Sequence, residues 1–457
     1  MKKYRFCSAL TAFFLLACLC ALPAAALDDP APQCGAAIIV DGDYGDVLYE
    51  YNGYEKMYPA SITKIMTSLL VLEAVEEGQI TLDQPITAST SAVVVPEGSS
   101  TANPAIQAGE VLTVEQLLYC DLISSANEAC NILAETVGGS IENFVDMMNA
   151  KAQELGMEGT HFVNPHGFHD EDHYTTAYDI TIMARAAMEY DTFRTIVSTA
   201  TYTIPATNLA GERVLHTTNA LIGNWIYSGY LYSKAIGIKT GSTTPAGQCL
   251  ASAAVDDDGR TYYCVVLGAQ TVDNGDGTTT RYSFYESRRL LEWAFDNFRR
   301  VTLLDENTEG VLREVEVTLS DETDHVIVQP VGSIEATLPT DYDASQVQFR
   351  VELADSVEAP VEKGTKLGTV TVVYNDVTYG TLDLVAADSV VRSDFQYYVK
   401  TVQDYLAMWW VRALIVVAVV LIVFLVVWLG VIRPRRKRRY RYSSRSGGRR
   451  YQGRRRR

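Results

Sequence analysis

The chain has 457 residues, more than one typical domain, and its 47% apolar and 10% aromatic content is that of a protein with a substantial packed core. Its formal charge of −18 hides a split: residues 1–26 hold three basic side chains and residues 433–457 hold fourteen, neither stretch holds an acid, and the remainder carries 21 basic against 56 acidic residues, a net of −35. Such a surface argues against nucleic acid and other polyanions as partners, so an anionic substrate needs a local cationic site.

Residues 1–26 combine Lys2, Lys3 and Arg5, an apolar stretch from Phe6 to Leu22 and Ala24-Ala25-Ala26, the pattern of a secretory signal cleaved after Ala26. Leu15-Leu16-Ala17-Cys18 offers a rival reading as a lipoprotein processing site. Residues Ala36 to Val40 and Val47 to Tyr49 read as an opening hairpin around a Gly/Asp turn. A helix starts at Pro59-Ala60-Ser61 and continues through Ile65, Met66, Leu69, Leu70 and Val71. Helical patterns also cover Val114 to Val137 and Ile141 to Leu155; Tyr262 to Leu267 reads as a strand and Leu290 to Phe298 as a closing helix, giving a mixed α and β domain over residues 27–300.

From Val301 the pattern alternates, with Val315, Val317 and Leu319, then Val347, Phe349, Val351 and Leu353, then Val370, Val372 and Tyr374. Period two over short runs predicts a small all-β domain over residues 301–393. Residues 394–412 place Phe395, Tyr398, Val399, Val402, Tyr405, Leu406 and Trp409 at helical intervals, an amphipathic juxtamembrane segment. Ala413 to Ile432 carries no charge over twenty residues, enough for a transmembrane helix. The basic tail 433–457 is then cytoplasmic and the rest exported, a single-pass arrangement in the cell membrane.

Five of the eight cysteines lie outside residues 1–26: Cys34, Cys120, Cys130, Cys249 and Cys264. No Cys-x-x-Cys and no metal-ligand histidine spacing occurs, so neither metal nor cofactor is expected. Cys249 and Cys264 flank a turn at Asp256 to Gly259 and either face one another or act as small buried apolar groups.

Three motifs carry the chemistry. Ser61 and Lys64 share a helix face in a first turn, where free amides and the helix dipole favour developing negative charge. A serine hydroxyl needs a base, and a lysine serves if burial and a neighbouring cation, for which Lys239 is the candidate, lower its pKa. A lone Ser-x-x-Lys is ordinarily a helix cap followed by a solvated lysine. Ser125 and Asn127 sit in a turn between apolar helical segments, where a hydroxyl relays a proton and an amide holds a substrate backbone. Lys239-Thr240-Gly241 follows a strand-like run at a cleft edge, with Gly241 admitting a substrate backbone and Lys239 and Thr240 meeting a carboxylate. Order, spacing and context together predict serine acyl transfer.

The stretch from Tyr58 to Thr67, with Gly237 to Thr243, Phe162 to Phe168, His173 to Asp179 and Ala359 to Gly364, resembles the serine-type D-alanyl-D-alanine carboxypeptidases, the low-molecular-mass penicillin-binding proteins, over roughly residues 34–390. The resemblance implies an α+β fold, a penicillin-binding/β-lactamase-like transpeptidase domain followed by a small all-β domain, to which the apolar run from Ala413 to Ile432 adds one C-terminal transmembrane helix. It implies that Ser61 attacks the carbonyl between two D-alanines, Lys64 takes its proton, Ser125 passes a proton towards the leaving amine and Asn127 holds the substrate. Lys239, Thr240 and Gly241 would line the carboxylate end, and the amides of Ser61 and Ser242 would form the oxyanion hole. The peptidoglycan stem peptide would be the substrate and β-lactam antibiotics the inhibitors. The family's arginine before the closing helix has Arg281 as its nearest match, although Arg281 stands farther from Glu286-Ser287 than the family spacing. His166 and Asp179 read as structural.

Three alternatives stay open: a DD-endopeptidase on cross-linked wall, a serine β-lactamase, and a non-catalytic wall-associated scaffold. For the second, Glu154, Glu158 and Glu171 lie between the second and third motifs, none in a Glu-x-x-Leu-Asn setting. The β-domain reads either as a spacer above the membrane or as a partner-binding module.

Overall fold

The computed structural model describes residues 27–308 and 310–429. The expected signal (1–26), the basic tail (433–457) and the last residues of the expected span lie outside these residues.

A five-stranded antiparallel sheet organises the first unit, in the order β2-β1-β5-β4-β3, where β1 is Ala36–Asp41, β2 Val47–Tyr51, β3 Ala235–Thr243, β4 Gly247–Val255 and β5 Thr261–Ala269. Its period-two side chains sort between two cores. Ile38, Val40, Ala251, Ala253, Val265 and Leu267 enter one, while Ile39, Leu250, Ala254, Cys264 and Val266 enter the other. Because both faces are covered, β1 is buried along its whole length, and helix-sheet-helix layering follows.

Six helices serve the first core: α1 (Lys64–Glu76), α2 (Val114–Leu122), α3 (Asn127–Gly138), α4 (Ile141–Glu154), α5 (Ala177–Met188) and α6 (Asp191–Val197). In α1, ten of thirteen residues are buried, so it has almost no polar face and any polar group on it needs a partner inside the protein. The helical pattern from Val114 to Val137 breaks at residues 123–126, at the turn expected between its two apolar segments; Ser125 takes the left-handed conformation there at φ 62°, while Asn127 opens α3 instead of lying in the turn. Helix α7 (Tyr282–Asn297) closes the second core. It begins eight residues before the expected Leu290, because its first turns bury the polar Ser283, Glu286 and Ser287 and so lack an apolar rhythm.

All five described cysteines outside residues 1–26 are free thiols. Cys249 points into the first core and Cys264 into the second, so the sheet itself stands between them and they do not face one another.

The second unit is a six-stranded sheet in the order β8-β10-β11-β7-β6-β9, with β6 Arg313–Thr318, β7 His325–Pro330, β8 Gln348–Leu353, β9 Ser356–Glu358, β10 Lys366–Tyr374 and β11 Val377–Ala386. Val315, Val317, Val370 and Val372 are buried as the alternation predicts. Residues 336–343 pack with the first unit; there Thr337 Oγ1 donates to Asp41 Oδ2 at 2.7 Å and Thr340 N to Asn297 O at 2.8 Å.

Ser393 caps helix α8 (Asp394–Ala407) by accepting from Gln396 N. After a break at Met408, α9 (Trp409–Val427) is the one helix among the described residues long and apolar enough to cross a membrane. It starts four residues before the expected Ala413 and takes in Arg412, whose Nε donates back to Leu406 O at 3.1 Å.

Candidate active site

Ser61 lies in a tight 3-10 turn, Ala60–Thr63, that feeds directly into α1. Ala60 occupies the left-handed region at φ 48°, a conformation that costs an alanine free energy and marks a constrained turn. What holds it is close packing on two glycines. A Cβ on Gly167 would stand 1.9 Å from Ala60 O, and one on Gly241 would stand 2.7 Å from Pro59 O and 3.0 Å from Ser61 N. The close approach that the sequence reading assigned to a substrate at Gly241 is thus made first by the serine turn.

Lys64 opens α1 and is fully buried. Its Nζ donates to Ser61 Oγ at 3.1 Å, Asn127 Oδ1 at 2.7 Å and the His166 carbonyl at 2.8 Å. Because the Asn127 oxygen faces Lys64, its Nδ2 is left for the cleft.

Lys239, on β3, is also buried, and its Nζ donates to Ser125 Oγ at 2.9 Å and Thr240 O at 3.0 Å. Burial, reinforced by the charge of Lys64, pushes Lys239 down to about 7. It lines neither of the cavities described next and reaches the cleft only through Ser125. Thr240 Oγ1 is 2.6 Å from Thr218 Oγ1.

Two cavities meet at Ser61. One, about 190 Å³, is lined by Ser61, Ser125, Thr218, Ile226, Tyr227, Thr240, Gly241, Ser242, Gln248 and Phe284. The other, about 420 Å³, includes Ser61, Ser100, Asn127, Phe168, His169, Ser242 and a single carboxylate, Glu97. Glu154, Glu158 and Glu171 line neither. Arg281, immediately before α7, stacks on Tyr227 at 3.7 Å and donates to Gln248 Oε1 at 3.4 Å, while Gln248 Nε2 donates to Ser242 Oγ at 3.2 Å. The guanidinium therefore rests on the wall of the smaller cavity.

The structure brings Ser61, Lys64, Ser125, Asn127, Lys239, Thr240, Gly241 and Ser242 together around one cleft. Sequence reasoning had not found the His166 carbonyl, Thr218, Tyr227 and Gln248, each on a segment with no motif of its own. The His166 imidazole accepts from Phe168 N at 3.1 Å, and burial with the Lys64 charge pushes it down to about 3. His173 is held neutral too: Nδ1 accepts from Val163 N at 3.1 Å and Nε2 lies 2.8 Å from Thr63 Oγ1, which spends its own proton on Ala60 O. Asp179 accepts from Gly159 N and Thr160 Oγ1 at 2.9 and 2.7 Å, tying down a loop.

Residues 24–271 match the family model described as D-alanyl-D-alanine carboxypeptidase, and residues 298–392 match that of the C-terminal domain of penicillin-binding protein 5. Over 379 residues the chain is 30% identical to D-alanyl-D-alanine carboxypeptidase DacF of Bacillus subtilis, covering 81% of this chain and 89% of the relative. With DacC of Escherichia coli it is 29% identical, covering 81% and 87%. Among solved structures, penicillin binding protein 5 from Haemophilus influenzae superposes with a TM-score of 0.62 at 26% identity, covering 80% of this chain and all of that one. Fold, motif order and sequence agree: the chain belongs to the D-alanyl-D-alanine carboxypeptidase family, and it is a serine peptidase.

Proposed function

We propose that this protein is a membrane-tethered carboxypeptidase that removes the terminal D-alanine from peptidoglycan stem pentapeptides through an acyl-enzyme on Ser61. The observation that carries this reading is the threefold environment of Lys64. As an ammonium, its three protons go to Ser61 Oγ, Asn127 Oδ1 and His166 O. As an amine, it keeps the two bonds to the fixed acceptors and turns its lone pair on the serine hydroxyl.

Ser61 Oγ gives its proton to that lone pair as its bond to the substrate carbonyl carbon forms. The backbone amides of Ser61 and Ser242, residues common to both cavities, receive the oxyanion. The carbon to nitrogen bond of the terminal D-alanine then breaks, and its amine takes the proton that Lys64 received from Ser61, relayed through Ser125, which Lys239 supports from behind; Lys64 is again an amine. A water attacks the ester, Lys64 accepts the water's proton, and Ser61 Oγ leaves with a proton restored.

Charge orients the peptide. Thr240 receives the terminal carboxylate in the smaller cavity, with the Arg281 charge behind Tyr227 and Gln248 drawing it there, and Tyr227 and Phe284 flank the alanine methyl. The preceding residues then cross Ser61 into the larger cavity, and Glu97 favours a cationic side chain on the residue before the two D-alanines. The same route admits a β-lactam ring, whose slow deacylation makes these drugs inhibitors. Helix α9 supplies the membrane tether.

The test is release of D-alanine from diacetyl-L-lysyl-D-alanyl-D-alanine by the full chain in detergent, beside Ser61→Ala. Turnover in the parent alone supports the reading. Equal wall phenotypes for parent and Ser61→Ala in cells, with no turnover in either, would leave the scaffold reading in its place.

A further inference from the structure

Asp121, next to last in α2, is fully buried and belongs to none of the three motifs. A carboxylate shut off from water is expensive unless hydrogen bonds and opposite charge offset the lost hydration. Both offsets are present. Oδ2 accepts from Ser68 Oγ at 2.8 Å and Oδ1 from Cys130 Sγ at 2.6 Å. With each oxygen facing a donor, the ionised form is the one whose hydrogen bonds are all satisfied.

The donors are placed with a pattern. Ser68 lies one turn beyond Lys64 on α1, and Cys130 lies one turn beyond Asn127 on α3. Lys64 and Asn127 are themselves joined at 2.7 Å. Asp121 therefore repeats, one turn deeper, the α1 to α3 link that holds the lysine in the cleft. We propose that Asp121 is a positioning residue for the reaction: it locks α1 to α3 behind Lys64 and supplies a buried negative charge facing Lys64 and Lys239 together.

Lys239 is faced by Lys64 from α1, Asp121 from α2 and Cys130 from α3. Lys64 is also faced by Glu128 from α3, a second buried carboxylate held by the amides of Ala102 and Ile106, and by the His166 imidazole. Asp121 differs from Glu128 in acting on both lysines. Burial holds the Asp121 carboxyl above the usual carboxylate range, and Lys64, Cys130, Ser68 and Lys239 offset part of that rise. By reciprocity, the carboxylate holds Lys239 above where burial alone would leave it.

This inference rests on Lys64 being the base. Its test is the rate of acylation by benzylpenicillin against pH, from 5 to 10, for the full chain in detergent and for Asp121→Asn. Neutralising Asp121 removes a charge that holds Lys239 up, so the acid limb moves down by about one pH unit. Cys130→Ser, which keeps a donor to the carboxylate, leaves the limb at the parental pH. If Asp121→Asn does not fold, Ser68→Ala strips one donor and moves the limb the same way by less. Superimposable limbs with only a lowered melting temperature overturn the proposal, whereas absence of acylation in the parent overturns the reading of Ser61 and Lys64 instead.

Discussion

Two buried lysines approach the cleft from opposite sides, Lys64 from a helix and Lys239 from a strand, and their surroundings differ in one decisive respect. Lys64 has two fixed acceptors plus the Ser61 hydroxyl, so losing a proton aims it at Ser61. Lys239 has the Ser125 hydroxyl and a carbonyl of its own strand, so the same loss aims it at Ser125. The lesson is that residue type does not set the role; the acceptors around each nitrogen do.

The largest expected effect breaks this comparison outright. Lys64→Ala lowers the benzylpenicillin acylation rate by about 1,000-fold, the range of a lost general base, while Lys239→Ala, which leaves Ser125 and the oxyanion amides in place, costs about 100-fold. Stopped-flow acylation of both variants checks this, and a reversed ranking means the two roles are exchanged. Next comes the carboxylate end. Arg281→Ala removes the cation beside Tyr227 and lowers kcat/KM for a D-alanyl-D-alanine peptide by about tenfold, as loss of one charge-assisted contact does. An unchanged kcat/KM leaves Thr240 alone to hold the carboxylate.

The comparison sharpens on the Lys64 side, where two neutral imidazoles stand. His166 and His173 titrate near 3 in the folded chain and near 6.5 when unfolded, so between those values the unfolded state binds more protons and stability falls as pH drops. At pH 5 each histidine costs about 2 kcal/mol relative to pH 8. His173→Gln therefore narrows the fall in melting temperature between pH 8 and pH 5, and a fall equal to the parent's contradicts the neutral assignment. The smallest effect concerns the exposed Glu97. Glu97→Gln reduces the preference for a free over an acetylated lysine at the third position of the stem peptide by about threefold, the worth of a solvated ion pair. Paired kcat/KM values on the two peptides measure it.

Much of this cleft was legible in the sequence because its motifs are contiguous and local. Ser61 and Lys64 sit one turn apart, and Lys239, Thr240, Gly241 and Ser242 follow along one strand. Asp121 was not legible, since its meaning comes from Ser68 and Cys130 on two other helices. The His166 carbonyl was invisible for a related reason: a backbone acceptor leaves no side-chain signature. Gly241 was read for its permissive backbone, but which neighbour fills that space depends on Pro59 and Ser61 packing back from a distant segment. Alternation located the second sheet through Val315, Val317, Val370 and Val372, yet could not tell that residues 336–343 return to the first unit through Thr337 and Asp41.

The central claim is that Ser61 forms a covalent acyl-enzyme. Intact mass of the full chain, followed over time after mixing with benzylpenicillin, tests it most directly with Ser61→Ala alongside. The account predicts a long-lived adduct of one drug mass on the parent protein and none on the variant. Drug consumed without adduct would make the protein a β-lactamase, and an adduct on Ser61→Ala would place the nucleophile elsewhere; either result contradicts the account.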